Sequence, residues 1–372
     1  MLQPRRPLLF CASALIATVT TELIARVDQQ AQLPPRIDRI STIVHASDSS
    51  GQPVTDLRAD ELRIFEDDAP QQLAVFRTAG ADSRMFILLI DDMHIAPADS
   101  ILARQVIRQL RDEVLRENDL IAIVSTGFSS IQRDLVRDRL DTRINESIQK
   151  VMGSAFPMRT SATPASTVSR LHYNAMVAFR TARDLITAAA RRADQAKAFI
   201  YVSGGYHFDP ATDARFEAGR DLLAASPGSP ASDPFRQPNP APSEADVIAA
   251  LATLGAEARR ANVVIHAIDP KGAQRGPSVA DGLTAEEWRK ASDIAIRSLR
   301  ALSLATGGVC ACESNTIRAA LQRIDREHTH HYVLAYTTNS SDPTRLRRRI
   351  RIETTRPGVA LRYLPDYFLP SR

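Results

Sequence analysis

The stretch MFILLIDDMHIAP, from Met85 to Pro97, decides the fold of this chain. Every residue from Met85 to Ile90 is apolar, and two aspartates follow directly. An uninterrupted apolar run of this length is typical of a strand that is buried on both faces of a parallel sheet. Open α/β sheets bind their ligands at the carboxyl ends of such strands. We therefore look for a binding or catalytic site at Asp91, Asp92 and His94.

Further apolar runs alternate with amphipathic helices on the C-terminal side of this strand. They comprise Leu120 to Ser125, Ala198 to Val202 and Val263 to Ile268. Strands that alternate with helices predict an α/β fold, a doubly wound and mostly parallel sheet flanked by helices. We predict that this domain covers residues 83–328. It carries a Pro-, Ala- and Ser-rich insertion at residues 209–243, whose composition is typical of a mobile surface segment.

The segments on either side of the alternating block are rich in β-forming residues. Residues 37–78 contain three strand patterns, and residues 330–363 contain three more. Two or three strands need a packing partner before they are stable. We therefore predict that residues 37–78 and 330–363 pair with each other and form one small β subdomain.

The N-terminal residues predict export. Arg5 and Arg6 precede an apolar stretch from Leu8 to Val19. About a dozen apolar residues after a basic pair match a secretory signal and are too few to span a bilayer well. We predict a cleaved signal peptide over residues 1–31, a secreted or periplasmic protein, and no membrane span in the mature chain.

Composition and cysteine usage narrow the function further. A net charge of +4 over 372 residues does not indicate a nucleic-acid-binding protein, which needs clustered basic residues. After signal cleavage, only Cys310 and Cys312 remain. Export implies an oxidising compartment, and a one-residue spacing predicts either two thiols or a strained, labile bridge.

Two catalytic classes lack their sequence motifs. The chain has no G-x-x-x-x-G-K-[ST] loop, which excludes a P-loop NTPase, and no G-x-S-x-G elbow, which excludes the serine nucleophile of an α/β-hydrolase.

His328, His330 and His331 form a cluster that could bind a transition metal. They lie where a helix passes into a strand, and alternate strand residues point to opposite faces, so we favour a structural role for them.

Four blocks of sequence together resemble a known family. They occur in the order GQPVTDLRADELRIFEDDAPQQLAVF, FILLIDDMHIAPAD, HHYVLAYTTN and RRIRIETTRPGVALRYLPDYF. The arrangement resembles the von Willebrand factor type A (VWA) family, and more closely the secreted bacterial VWFA-related proteins of acidobacterial type. The resemblance covers nearly the whole mature chain. It implies a protein-binding domain, in which the ligand often binds at a metal-ion-dependent adhesion site.

That adhesion site requires the pattern D-x-S-x-S after the first strand, and this chain departs from it. With Asp91 as the first ligand, the serine positions hold Met93 and Ile95. With Asp92 as the first ligand, they hold His94 and Ala96, which is little better. Hard cations need oxygen ligands, so the serine replacements predict a degenerate site.

The remaining ligand positions of the family are also incomplete. The later acidic position falls on Gly204, next to Ser203, and either Thr160 or Thr163 could supply the loop threonine. The resemblance therefore implies no cofactor and at most weak Mg²⁺ or Ca²⁺ binding at Asp91 and Asp92.

Without a cation, other groups must hold the strand-end side chains. We expect backbone N–H groups or the N-terminus of the following helix to hold the Asp91 carboxylate. We expect Asp92 to be solvated and His94 to contact the backbone.

Three functions remain open at this point. The first is an exported, non-enzymatic protein-interaction module of the VWA type, with an unknown envelope or extracellular protein as its partner. The second is a metal-dependent hydrolase that uses Asp91, Asp92 and His94. The third is a structural component of the cell envelope, with the insertion at residues 209–243 as its contact segment.

Overall fold

A computed structural model describes residues 39–79, 84–127, 129, 131, 134–155, 165–191, 196–208, 242–272, 283–313, 316–338 and 347–368. The predicted signal peptide, Thr160 and Thr163 lie outside the described residues, as does the predicted insertion except for its last two residues.

The described strands follow one another along the chain as β1 (Arg39–Ser47), β2 (Leu62–Glu66), β3 (Ala69–Gln71), β4 (Leu73–Ala79), β5 (Arg84–Ile90), β6 (Leu120–Ser125), β7 (Asp134–Arg137), β8 (Ala196–Val202), β9 (Val263–Ile268), β10 (Cys310–Ala311), β11 (His331–Thr337), β12 (Arg347–Thr354), β13 (Ala360–Tyr363) and β14 (Asp366–Phe368). The described α-helices are α1 (Ser100–Glu113), α2 (Thr142–Lys150), α3 (Ala165–Ala190), α4 (Glu244–Arg260), α5 (Ala285–Leu304) and α6 (Ile317–Thr329).

The central sheet has six strands in the order β10-β9-β8-β5-β6-β7. The strands from β10 to β6 run parallel, and β7 pairs antiparallel with β6 at the edge. Chain order changes direction at β5, because β6 lies on one side of it and β8 on the other. The gap between the carboxyl ends of β5 and β8 is therefore the topological switch point, where sheets of this class bind ligands.

Strand β5 is buried on both faces, as its uninterrupted apolar run predicts. Phe86, Leu88 and Ile90 pack in one core with buried residues of α1, α2 and α6. Met85, Ile87 and Leu89 alternate with them and pack in a second core with α3 and α4. Each such side chain contributes about 1.5–3 kcal/mol relative to solvent exposure, so a polar residue in the run would be costly. The two cores confirm a doubly wound α/β fold.

Strands from the two ends of the chain form two antiparallel sheets. Their orders are β13-β1-β11-β4 and β14-β12-β2-β3, and β1 pairs with β13 while β2 pairs with β12. Buried residues of both sheets share one apolar core, including Val44, Ile64, Tyr332 and Ile350. Residues 40–372 form one compact unit. Strands from the N-terminal segment thus pair directly with strands from the C-terminal segment.

Two capping residues in the sequence mark the starts of helices. Ser243 and Thr284 are N-caps of α4 and α5, and each makes a capping box with the acidic residue three positions later.

None of the described helices is long and apolar enough to cross a membrane.

Cys310 and Cys312 form a disulfide, with 5.3 Å between their Cα atoms. This resolves the alternative between thiols and a bridge in favour of the bridge. It joins the short edge strand β10 to the residue that follows it, and Cys312 packs against Ile296 and Leu299 of α5.

Candidate functional site

The candidate site lies at the switch point between β5 and β8. Asp91 follows β5, and its N–H donates to the carbonyl of Val202, the last residue of β8 (2.8 Å). Ser203 follows β8 and donates its N–H to the carbonyl of Ile268 (3.1 Å). The hydrogen-bond pattern of the parallel sheet therefore continues one residue beyond these strands and places Asp91 beside Ser203.

The Asp91 carboxylate is fully buried and is held by side-chain donors. Its Oδ1 contacts His94 Nδ1 at 2.8 Å, and its Oδ2 accepts from the hydroxyls of Ser203 (2.9 Å) and Tyr206 (2.8 Å). These contacts correct the expectation that backbone N–H groups or a helix N-terminus would hold this carboxylate. The reason is that the loop after β8 supplies two hydroxyls directly above it.

Asp92 is also fully buried, which corrects the expectation that it is solvated. Its Oδ1 lies 2.5 Å from the Thr126 hydroxyl, and its Oδ2 accepts from the N–H of Ser129 at 2.5 Å. The Thr126 hydroxyl is 3.3 Å from Asp91, so its single hydrogen belongs to the shorter bond with Asp92. Asp92 thus ties the end of β5 to the loop that follows β6.

His94 contacts a carboxylate rather than the backbone, contrary to expectation. Asp91 accepts at this contact, so the imidazole carries its hydrogen on Nδ1. The ring also packs edge-on against Tyr206, with 4.6 Å between ring centroids. Because the side chain is only 3% exposed, His94 is a fixed donor to Asp91 and has little access to solvent.

Tyr201 and Tyr206 extend the hydrogen-bond chain into the core. Their hydroxyls are hydrogen-bonded to each other, and Tyr206 gives its own hydrogen to Asp91, so Tyr201 is the donor to Tyr206. Burial, and next the negative charge of Asp91, raise the pKa of both phenols well above the usual value. Both tyrosines are therefore protonated at neutral pH and act as hydrogen-bond donors.

Two glycines allow loops to pass closely over the site. The N–H of Gly204 donates to the carbonyl of His94 at 3.0 Å, and a Cβ at residue 204 would collide with that oxygen. A Cβ at Gly153 would collide with the carbonyl of Ile95. No carboxylate side chain therefore fits at residue 204 while the His94 carbonyl keeps this position.

The donors that surround Asp91 do not match the ligand set of an adhesion-site cation. Met93 and Ile95 bring no hard oxygen, and both Asp91 oxygens accept hydrogen bonds from neighbouring side chains. Within the part of the chain that the structure describes, no group of three His, Cys, Asp or Glu residues could hold a metal ion.

Most of the residues predicted for the site lie together. Asp91, Asp92, His94, Ser203 and Gly204 meet at the end of β5, whereas Thr160 and Thr163 lie outside the described residues. Three further residues contribute to the site and were not predicted from the sequence: Thr126, Ser129 and Tyr206. Thr126 carried a usable signal, because it directly follows the end of the neighbouring parallel strand β6.

The three histidines at positions 328, 330 and 331 differ in exposure. His328 and His331 are buried, and His330, which lies between them, is exposed.

No family model matches the chain, and no curated protein matches it. Solved structures match at low similarity. Manganese-loaded Plasmodium vivax TRAP protein matches with a TM-score of 0.34 and 10% identity, over 80% of this chain and 100% of that chain. Proximal thread matrix protein 1 from the mussel byssus matches with a TM-score of 0.30 and 10% identity, over 67% of this chain and 49% of that chain. The human COPII-coat protein Sec24c matches with a TM-score of 0.30 and 10% identity, over 78% of this chain and 44% of that chain. At these values the likenesses carry no argument about function.

Proposed function

We propose that this chain is an exported, non-enzymatic protein-interaction module of the VWA type, related to the secreted bacterial VWFA-related proteins of acidobacterial type. Its adhesion site is degenerate, so it binds its partner without a divalent cation. The partner is a protein of the cell envelope or the extracellular space.

The observation that carries this proposal is the closure of the strand-end site. In a cation-dependent adhesion site, the metal needs protein oxygens and an open position for an acidic residue of the partner. Here the Asp91 oxygens are engaged by His94, Ser203 and Tyr206, and the loop carbonyl of His94 lies against Gly204. Internal hydrogen bonds thus occupy the place of the ion's coordination.

The same burial argues against the hydrolase that would use Asp91, Asp92 and His94. A general base or nucleophile must come within hydrogen-bond reach of its substrate, directly or through one water. Asp91 and Asp92 are 0% exposed, and the His94 side chain is 3% exposed. Hydrolysis at this site would first require the loops after β5 and β8 to move apart.

Export is supported by two independent features. Arg5 and Arg6 precede the short apolar stretch of a signal peptide. Cys310 and Cys312 form a disulfide, which persists in oxidising compartments. N-terminal sequencing of the protein recovered from intact cells tests this part of the proposal. The sequence read should begin after residue 20, and an intact Met1 in the mature, soluble fraction would contradict export.

The binding proposal is tested by affinity capture with tagged residues 32–372 from the envelope fraction of the source cells. Captured proteins are identified, and the main one is purified. Its binding is then measured by calorimetric titration in EDTA, in 1 mM Mn²⁺ and in 1 mM Mg²⁺, a concentration of about the dissociation constant of the weakest extracellular Ca²⁺ modules. We expect equal affinity in all three buffers. Binding that is lost in EDTA and restored by the cation would overturn the metal-independent mechanism. A chelator-sensitive hydrolase activity that disappears in Asp91→Asn would instead favour the enzyme.

A further inference from the structure

Four histidines lie together where the parallel sheet meets the antiparallel sheet that contains β1 and β11. His266 belongs to β9 and His328 to the last turn of α6, and their Nε2 atoms are 3.0 Å apart. His331 opens β11, and its ring centroid is 6.2 Å from that of His45 on β1. We call these four side chains the imidazole cluster. None of its members takes part in the strand-end site.

The hydrogen bonds of the cluster require neutral rings. The N–H of Val309 donates to Nδ1 of His266 at 3.2 Å, so His266 carries its hydrogen on Nε2 and donates it to Nε2 of His328. A proton added to His328 at Nε2 would set two donors against each other at 3.0 Å. Both ring nitrogens of His331 are buried and have no hydrogen-bond partner, so a charge on that ring would be unsatisfied.

The surroundings of the cluster would oppose a positive charge. Arg362 on β13 stands directly across the ladder from His45, Arg84 on β5 and Arg323 on α6 also act on the cluster, and exposed His330 adjoins His331. The neighbouring carboxylates are already committed. Glu327 pairs with both Arg323 and Arg362, and Asp119 and Asp325 pair with Arg84. No carboxylate in the described surroundings is left to neutralise an imidazolium.

The cluster also bridges two parts of the fold. His266 and His328 pack on the parallel sheet, where His328 meets Phe86 of β5 edge-on. The chain runs from His328 through His330 into β11, which carries His331. Repulsion within the cluster would therefore act between the parallel sheet and strands β1 and β11.

We propose that the imidazole cluster is an acid-sensitive joint, which loosens strands β1 and β11 from the parallel sheet when the surroundings are acidified, while the parallel sheet stays folded. The two antiparallel sheets share one apolar core, so they move together when the joint opens. This property does not depend on the proposed partner binding.

The sign of the pH dependence follows from the burial of the rings. Burial, and next the charge of His331, lower the pKa of His328 from 6.5 to about 3. Burial, and next the charge of His330, lower the pKa of His331 to about 4. Above the unfolded value of 6.5 both rings are neutral in the closed and the opened states. As the pH falls below that value, only the opened state gains protons, so each of the two rings favours opening by roughly 30-fold at pH 5.

Hydrogen exchange of the purified protein, followed by mass spectrometry between pH 7.5 and pH 4.5, tests the joint. Exchange times are scaled for the intrinsic pH dependence of amide exchange. We expect protection of peptides from β1 and β11 to fall by more than about 30-fold on acidification to pH 5, since each of the two buried histidines contributes about that factor. Peptides from β5 and β8 should keep their protection. Equal loss in all four strands would indicate global acid unfolding and overturn the proposal.

Three variants assign the effect to the cluster. His331→Leu removes a ring that has no hydrogen-bond partner, and His328→Gln keeps an acceptor for His266 without a titrating group. Both should reduce the pH dependence of β1 and β11 protection, and His331→Leu alone suffices if His328→Gln does not fold. His330→Gln changes an exposed histidine in the same segment, and because burial is the larger cause of the lowered pKa of His331, it should alter the pH dependence less than either of the other two variants. A wild-type pH profile in His331→Leu, or an equal effect in His330→Gln, would contradict the joint.

Discussion

The Tyr206 hydroxyl donates a hydrogen bond of 2.8 Å to Oδ2 of Asp91, across the switch point of the parallel sheet. It thereby joins the loop after β8 to the end of β5, and the N–H of Tyr206 is itself held by the Ser298 hydroxyl of α5 (2.9 Å). Tyr206 thus connects three segments that are distant in sequence. The predictions below begin with this contact.

Tyr206→Phe should destabilise the fold by about 1.5–3 kcal/mol, because it removes a hydrogen bond to a buried charged group and also the acceptor of Tyr201. Urea unfolding at neutral pH measures this change. Tyr173→Phe is the matched control, since Tyr173 is 54% exposed, and its effect should stay within about 0.5 kcal/mol. Equal effects of the two substitutions would show that the contact with Asp91 contributes nothing to stability.

Calorimetric titration of Mg²⁺, Ca²⁺ and Mn²⁺ into chelator-treated protein should detect no binding tighter than about millimolar, the range of poor oxygen-ligand sites. The reason is that Asp91 already accepts hydrogen bonds from His94, Ser203 and Tyr206. Micromolar binding that disappears in Asp91→Ala would restore the adhesion-site mechanism and refute our interpretation of this site.

Reduction of the Cys310–Cys312 disulfide should lower the free energy of unfolding by about 1–2 kcal/mol, because so short a closed loop restricts the unfolded chain only slightly. Urea unfolding with and without a phosphine reductant measures the difference, and a thiol count confirms reduction. A loss of several kcal/mol would mean that the bridge is a principal support of β10 and its contact with α5.

Arg84→Met should destabilise the protein by about 3–5 kcal/mol, because it leaves the buried carboxylate of Asp119 unpaired. Arg318→Met is the control, since Arg318 forms an exposed ion pair with Glu113 and its loss should cost less than about 1 kcal/mol. Chemical denaturation of both variants gives the comparison. A small effect of Arg84→Met would indicate that water or another group takes over the contact with Asp119.

Residues 37–78 and 330–363 are proposed to be one subdomain on which the rest of the chain depends. A truncated protein containing residues 83–329 should therefore melt at a lower temperature, or aggregate. The reason is that His266 and His328 lose the strands that cover them. Scanning calorimetry compares it with the full protein. Cooperative melting at an unchanged temperature would show that the antiparallel sheets are a detachable appendage.

The fold was predictable because burial imposes strong composition rules. The apolar run of β5 can be buried only if both faces of the sheet are covered, and the structure covers both. Ser243 and Thr284 have the side chains of N-caps, and α4 and α5 begin at the residues that follow them. These signals are local in sequence, or depend on one strand alone, so they can be recognised without knowledge of the tertiary structure.

The hydrogen bonds of the site were less predictable, because they depend on where loops cross. Asp92 was expected in solvent, yet Thr126 and Ser129 cover it from the loop after β6. Nothing local in the sequence assigns the Tyr206 hydroxyl to Asp91. His266 did carry a signal, since a single histidine within the apolar run VVIHAI indicates a buried ring.

The close crossing of Gly204 and the His94 carbonyl also limits how this chain can change by mutation. A carboxylate at residue 204 would need a Cβ in the space of that carbonyl, so the substitution is disfavoured before any cation can reward it. Oxygen ligands at Met93 and Ile95 would require two further substitutions, and Ile95 is buried in the core. Each single substitution adds at most one oxygen ligand, and the one at residue 204 requires the His94 carbonyl to move. This loop arrangement therefore disfavours the gain of a cation site through single substitutions.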